Sequence, residues 1–353
     1  SPGAATLRFT SNDTNDYSSR FSSNSGLTVD TNGLTITFGS ALVGFANGIT
    51  VAGGGTLNLN GANSTYSGNT IVNSGTTVTL GNSAALGTHY LTNNGTVNVA
   101  SGTTSISIPS LAGSGTLNLS NLAGTPAAVT ATIGLSGYDT SYSGTITGLG
   151  IVTKIGNGNL TLSGNNSYVG GTNVNAGYIT LNSQSALGGY SGGAYSIARV
   201  GSIVFGGGTL IYSSSNTNDY SSVFTNSGTQ VIKIDTGSQS VLFASIIGAS
   251  PRSSENISLV KYGDGTLTLS GNNTYTGGTT VNRGVLQVSG NAIAGGYANG
   301  LGSGDVTICA YSCNNGIGSP DGVYARTSQV IYWLASGATI INNFNLSGSA
   351  VLT

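Results

Sequence analysis

One stretch of this chain occurs three times, and that repetition restricts what the chain can fold into. Residues 265–288 read Gly-Thr-Leu-Thr-Leu-Ser-Gly-Asn-Asn-Thr-Tyr-Thr-Gly-Gly-Thr-Thr-Val-Asn-Arg-Gly-Val-Leu-Gln-Val. Residues 158–181 repeat the pattern closely, with Leu160, Asn165, Asn166, Tyr168 and Val174 at matching places. Residues 55–80 form a looser copy, with one-residue insertions near Ala62 and Thr77. The leading leucines, Leu57, Leu160 and Leu267, lie just over a hundred residues apart. A second element, residues 6–21, returns at residues 209–224, and both copies contain Thr-Asn-Asp-Tyr-Ser-Ser. Recurrence of this kind marks a chain built by stacking one supersecondary unit on the next. It predicts one continuous solenoid over residues 1–353, with modules of approximately 1–105, 106–208, 209–315 and 316–353.

Within a module, apolar residues alternate with Thr, Asn and Ser over short runs such as Thr56-Leu-Asn-Leu and Leu160-Thr-Leu. Alternation with period two is a strand pattern. Gly-Asn, Gly-Gly and Asn-Ala-Gly separate the runs and supply turns at low steric cost. No ten-residue run shows helical spacing. The expected fold is all-β, a right-handed parallel β-helix (β-solenoid) of about 15 rungs at roughly 20–25 residues each. The pairs Asn165-Asn166 and Asn272-Asn273 fall at the same turn in their copies. They are expected to hydrogen-bond along the stack as amide ladders.

Composition narrows the function. Charged residues make up 5% of the chain and the net charge is -1. A basic footprint for nucleic acid is therefore missing. No apolar run is long enough to span a bilayer as a helix, so no membrane insertion by this chain is expected. There is no Met and no leader-like segment, which reads as a processed product or a piece of a longer one.

Candidate chemistry is sparse. Asp13 and Asp16 form the densest carboxylate pair, and Asp219 is the counterpart of Asp16 in the second copy. Their oxygens make weak calcium candidates. The repetition favours a structural Asx turn over a general acid–base pair. His89 has no nucleophile with a recognisable surround. The glycine-rich turns precede strands, whereas a phosphate loop precedes a helix. Lys154 and Lys261 stand at equivalent positions before such turns, a module feature. Tyr66, Tyr168 and Tyr275 also share one position and are expected to pack the turn, with a sugar-stacking stripe as the rival reading. The expectation is no enzyme and no cofactor. Cys309 and Cys313, the two cysteines of the chain, are expected to form a disulfide closing a small loop, with two free thiols as the alternative.

Residues 263–284 resemble the autotransporter-associated β-strand repeat, as do 156–177 and, more loosely, 53–75. That resemblance implies a secreted or surface-displayed β-helix, extracellular or on the bacterial surface, of the kind used in adhesins and stalks. Solenoid ends expose unpaired rungs and usually carry polar caps. None is evident here. One expectation is therefore a subunit polymerising head to tail into a surface filament. Its contact would place Ala5, Leu7 and Phe9 against Leu346, Val351, Leu352 and Thr353 of another copy. The alternative is a monomeric adhesin passenger that binds surface glycans, with loops such as 188–193 and 295–304 as the contact.

Overall fold

The computed structural model describes residues 5–21, 25–62, 64–248, 256–289 and 300–309, and the backbone of strands Gln329–Tyr332 and Phe344–Ser347. Among these residues there is no α-helix. Strands of two to six residues alternate with turns, and three-residue 3-10 helices occur at Ser18–Arg20, Ile197–Arg199 and Ser221–Val223. The strands stack in parallel as a β-solenoid of about 13 turns, close to the 15 implied by the repeat length. The chain divides into two compact units. One comprises Ser1–Ile179 with Ser185–Gly201, the other Thr180–Gln184 with Ser202–Thr353.

In the first unit, Ala5–Arg8, Leu27–Asp30, Ile49–Ala52, Thr70–Val72, Tyr90–Asn93 and Ser110–Ala112 pair in that order into one parallel sheet. A second parallel sheet holds Thr35–Phe38, Thr56–Leu59, Thr77–Leu80, Thr96–Val99, Thr116–Asn121 and Thr145–Thr147. Each new turn of chain adds one strand to each sheet, which is why strands that neighbour in space are about twenty residues apart in sequence. In the second unit, Gln230–Asp235, Ile257–Tyr262, Thr279–Val281 and Val306–Cys309 pair in parallel, followed by Phe344–Ser347. Ser240–Phe243, Thr266–Leu269, Val285–Val288 and Gln329–Tyr332 form a second series.

Period-two alternation sets the core. Register pairs Ile36 with Leu57, Leu57 with Val78, Val78 with Val97, Val97 with Leu117, and Leu117 with Ile146. All six side chains are fully buried. A one-residue slip would turn the whole column outward, so the pattern fixes the register. Glycine is required where turns of successive rungs touch. A Cβ on Gly164 would run into the Gly144 carbonyl oxygen below it.

Candidate functional site

Several polar residues that recur in the repeats are buried, and these serve the stack. Lys154 ends strand Ile151–Lys154 and is buried. Its ammonium donates to the carbonyl oxygens of Ile155 at 2.7 Å and Gly156 at 2.9 Å, in the glycine turn that follows. Lys261 does the same with Tyr262 (3.1 Å) and Gly263 (2.8 Å), and both lysines also reach a carbonyl one turn of chain later, Ala176 at 3.5 Å and Arg283 at 2.9 Å. Burial pushes both lysines down to about 8, partly offset by Asp139 at Lys154 and by Asp235 and Asp264 at Lys261. In the first repeat the equivalent residue is Val51, fully buried. There Thr31 supplies the polar link, its hydroxyl donating to the Ala52 carbonyl and accepting from the Gly55 N–H.

The second Asn of each pair spans three successive turns of chain. Asn166 accepts the Ile146 N–H at 2.7 Å through Oδ1 and donates to the Ala186 carbonyl at 2.8 Å through Nδ2. Asn273 accepts from Ile247 at 2.7 Å and donates to Gly300 at 2.6 Å. These amides bond to backbone, not to one another. The expected amide ladder is absent at Asn166 and Asn273 because residues a hundred positions apart lie several turns away. Ser64 takes this place in the first repeat. Its hydroxyl accepts the Leu42 N–H and its own N–H donates to Ala84.

Tyr66, Tyr168 and Tyr275 are fully buried, and each phenol shares a hydrogen bond with the threonine four residues on, Thr70, Thr172 and Thr279, at 2.5–2.8 Å. They are core residues and present no ring to a sugar.

One aromatic cluster does face outward. Tyr90 and Tyr138 stack with centroids 5.2 Å apart and planes at 18°, and His89 lies 5.4–5.5 Å from both rings. Tyr138 is 45% exposed, and Leu135 on the same turn is 64% exposed. The cluster joins the start of strand Tyr90–Asn93 to the turn before Thr140–Tyr142. A flat, partly exposed aromatic surface with hydroxyl edges is suited to stacking against an uncharged ligand.

The repeated segments are where the chain meets known proteins. It matches the family described as Passenger-associated-transport-repeat over residues 49–80, 152–181 and 259–288. Three segments of the chain thus match this repeat. Over 140 residues it is also 38% identical to the Adhesin BmaC autotransporter of Brucella suis biovar 1 (strain 1330). The aligned part is 39% of this chain and spans only 4% of that relative. No solved structure matches the chain. Each transport repeat takes in two strands from each of two series, as in Ile49–Ala52, Thr56–Leu59, Thr70–Val72 and Thr77–Leu80. The lysine strand is thus part of the transport repeat, although the leucine motif alone begins after it.

Outside the transport repeats, the calcium candidates act as caps. Asp16 accepts the Ser18 N–H and, across to the next turn of chain, the Gly39 N–H, both at 2.8 Å. Asp219 accepts the Ser221 and Ala244 N–H groups at the same distance. Ser18 and Ser221 extend the clasp by accepting from Ser40 and Ser245 at 2.9 Å. Burial tends to raise the Asp16 carboxyl, but the bonds from Ser18 and Gly39 hold it below the usual range. Asp13 is lowered by the Tyr17 hydroxyl (2.7 Å) and the Asn15 N–H. Among the described residues no three His, Cys, Asp or Glu side chains gather as a metal site.

Ala5 and Leu7 lie on Ala5–Arg8, which among the described residues pairs with Leu27–Asp30 alone, with Ala5 exposed and Leu7 half-buried. Phe9 is 2% exposed and packs inward against Tyr17 and Phe38, at 6.3 Å from each ring. Leu346 falls on strand Phe344–Ser347, whose backbone alone is described. Val351, Leu352 and Thr353 lie outside the described residues. Cys309 is buried and disulfide-bonded, while Cys313 lies outside the described residues. Of the two candidate loops, 188–193 leads into a hairpin, Tyr190–Ser191 against Ala194–Tyr195, the one antiparallel strand pair among the described residues. Residues 295–299 of the other are not described. Sequence reasoning did not find the His89–Tyr90–Tyr138 cluster, because His89 and Tyr138 sit in turns that carry no period and Tyr90 only begins its strand.

Proposed function

We propose that this chain is a segment of a surface-displayed or secreted autotransporter passenger, adhesive in role and without an enzymatic one. The observation that carries this reading is the set of three segments that match the transport repeat, whose buried polar residues are consumed in holding the stack. What remains for contact is the outer surface, and the His89–Tyr90–Tyr138 cluster is its most ligand-like part. The partner class that fits is an uncharged surface glycan.

The test is to display the chain on non-adherent cells and measure attachment to surfaces coated with neutral glycans. Attachment that falls in Tyr138→Ala, with folding intact, supports the reading. Attachment no greater than that of cells without the chain overturns it.

Head-to-tail polymerisation through strand Ala5–Arg8 is the second reading, favoured by that strand's pairing, among the described residues, with Leu27–Asp30 alone. The same strand suits pairing with another rung of a longer passenger, and the relative's much greater length favours that account. Electron microscopy of the purified chain over a range of concentrations separates them. Filaments support polymerisation, and a monodisperse particle at every concentration rules it out.

A further inference from the structure

One face of the first unit is a regular lattice of hydroxyls and amides. The outward neighbours of the buried column form two columns of their own. The first is Thr35, Thr56, Thr77, Thr96, Thr116 and Thr145, each in register with the next. The second is Thr37, Asn58, Thr79 and Asn98 in register, continued by the pair Asn118 and Thr147. Every strand of this sheet therefore reads Thr-x-Thr or Thr-x-Asn, with x in the core. The Thr column is exposed or half-exposed along its length, and in the second column Thr79, at 6% exposure, is the exception.

β-Propensity accounts for threonine on a strand. It does not account for six threonines in one column beside a column of Thr and Asn alone. The equivalent series of the second unit has Ser240, Thr266 and Val285 in one column and Leu242, Thr268 and Gln287 in the other. The lattice is thus a property of one face, not of the composition.

Strand pairing sets the spacing along the columns at roughly 4.8 Å, and two residues along a strand set the spacing between them at roughly 6.7 Å. Both repeats lie close to oxygen spacings on the faces of hexagonal ice. No charged side chain interrupts the two columns, so no ion imposes its own hydration shell. Hydroxyls and amides can replace lattice waters, while the threonine methyls order the water between them. Rigidity comes from the backbone ladder and the buried column beneath. We infer that this Thr-x-Thr/Asn face binds ice, a function separate from adhesion through the aromatic cluster.

The experiment uses the full chain in a freezing-point and ice-morphology assay, with recrystallisation followed at fixed subzero temperature. The wild type should give faceted crystals, a gap between melting and freezing points, and slowed recrystallisation. In the double variant Thr77→Tyr, Thr96→Tyr these should fall to the level of buffer, with unchanged circular dichroism and thermal midpoint. Gln287→Tyr, on the second unit, should leave them intact. Round crystals and no gap with the wild type overturn the inference, as does a gap that survives the double variant. Round crystals together with retention on insoluble cellulose or chitin that the double variant loses and Tyr138→Ala keeps also overturn it, and assign the face to glycan contact.

Discussion

The Lys261 ammonium reaches across to the next turn of chain and donates to the Arg283 carbonyl oxygen at 2.9 Å. The Arg283 side chain turns outward and pairs with both carboxylate oxygens of Asp264 through one guanidinium edge, Nε at 3.0 Å and Nη2 at 3.0 Å. One lysine therefore ties three backbone carbonyls and the Thr236 hydroxyl into a single buried junction. Lys261→Met keeps the aliphatic stem and removes every donor. It should lower stability by about 1–3 kcal/mol, because buried carbonyls lose their partners. Urea unfolding checks this, and a loss below about 0.5 kcal/mol would show the carbonyls were never dependent on the lysine.

Alkaline titration should give a stability maximum. Lys154 and Lys261 titrate at about 8 in the folded chain, below an unfolded lysine at about 10.4. Between those values the unfolded chain binds more protons, so stability rises with pH. Burial raises Tyr66, Tyr142 and Tyr275 above the ordinary tyrosine value of about 10. Their folded forms keep the proton, and stability is lost as pH climbs beyond it. Denaturant midpoints from pH 7 to 11.5 should climb above pH 8 and turn down past about pH 10. A steady decline from pH 7 contradicts the assignment.

Asn273 and its neighbour Asn272 offer an internal control. Asn273→Ala leaves the Ile247 N–H and the Gly300 carbonyl unbonded and should cost about 1–3 kcal/mol. Asn272, half-buried with its side-chain oxygen unpaired, should tolerate alanine within about 0.5 kcal/mol. Equal effects from the two variants would remove the bridging role of Asn273.

Leu117 lies between Val97 and Ile146 in the buried column. Leu117→Ala should open a cavity and cost about 2–5 kcal/mol. Hydrogen exchange should show the greatest loss of protection in the strands on either side, since a solenoid passes strain mainly to adjacent rungs.

Much of the architecture was legible in the repeats. Alternation in Thr56-Leu-Asn-Leu gives the strand and its buried face, and recurrence of the pattern gives the stack. The shared positions of Lys154 with Lys261 and of Tyr168 with Tyr275 mark them as structural, which their burial bears out. What each side chain touches was not legible. Asn166 bonds to residues twenty positions before and after it, in turns whose sequences are unlike its own. The aromatic cluster was hidden for the same reason, since His89 and Tyr138 meet only once the turns between them are stacked. The threonine columns were written in plain sight, but their alignment depends on register, and register depends on the length of every intervening turn.

The shared register of Ile36, Leu57, Val78, Val97, Leu117 and Ile146 bears on how such a chain can change its length in evolution. Duplicating or deleting one complete circuit returns each strand to its place in both sheets and disturbs only the two faces at the junction. A single extra residue must be absorbed in a turn, and in the first repeat, which is one residue longer before Tyr66, Ser64 takes up the bridging bonds that Asn166 and Asn273 make elsewhere. Genes for such chains should therefore lengthen and shorten in whole circuits, and reach becomes a trait that selection can adjust without redesigning the fold.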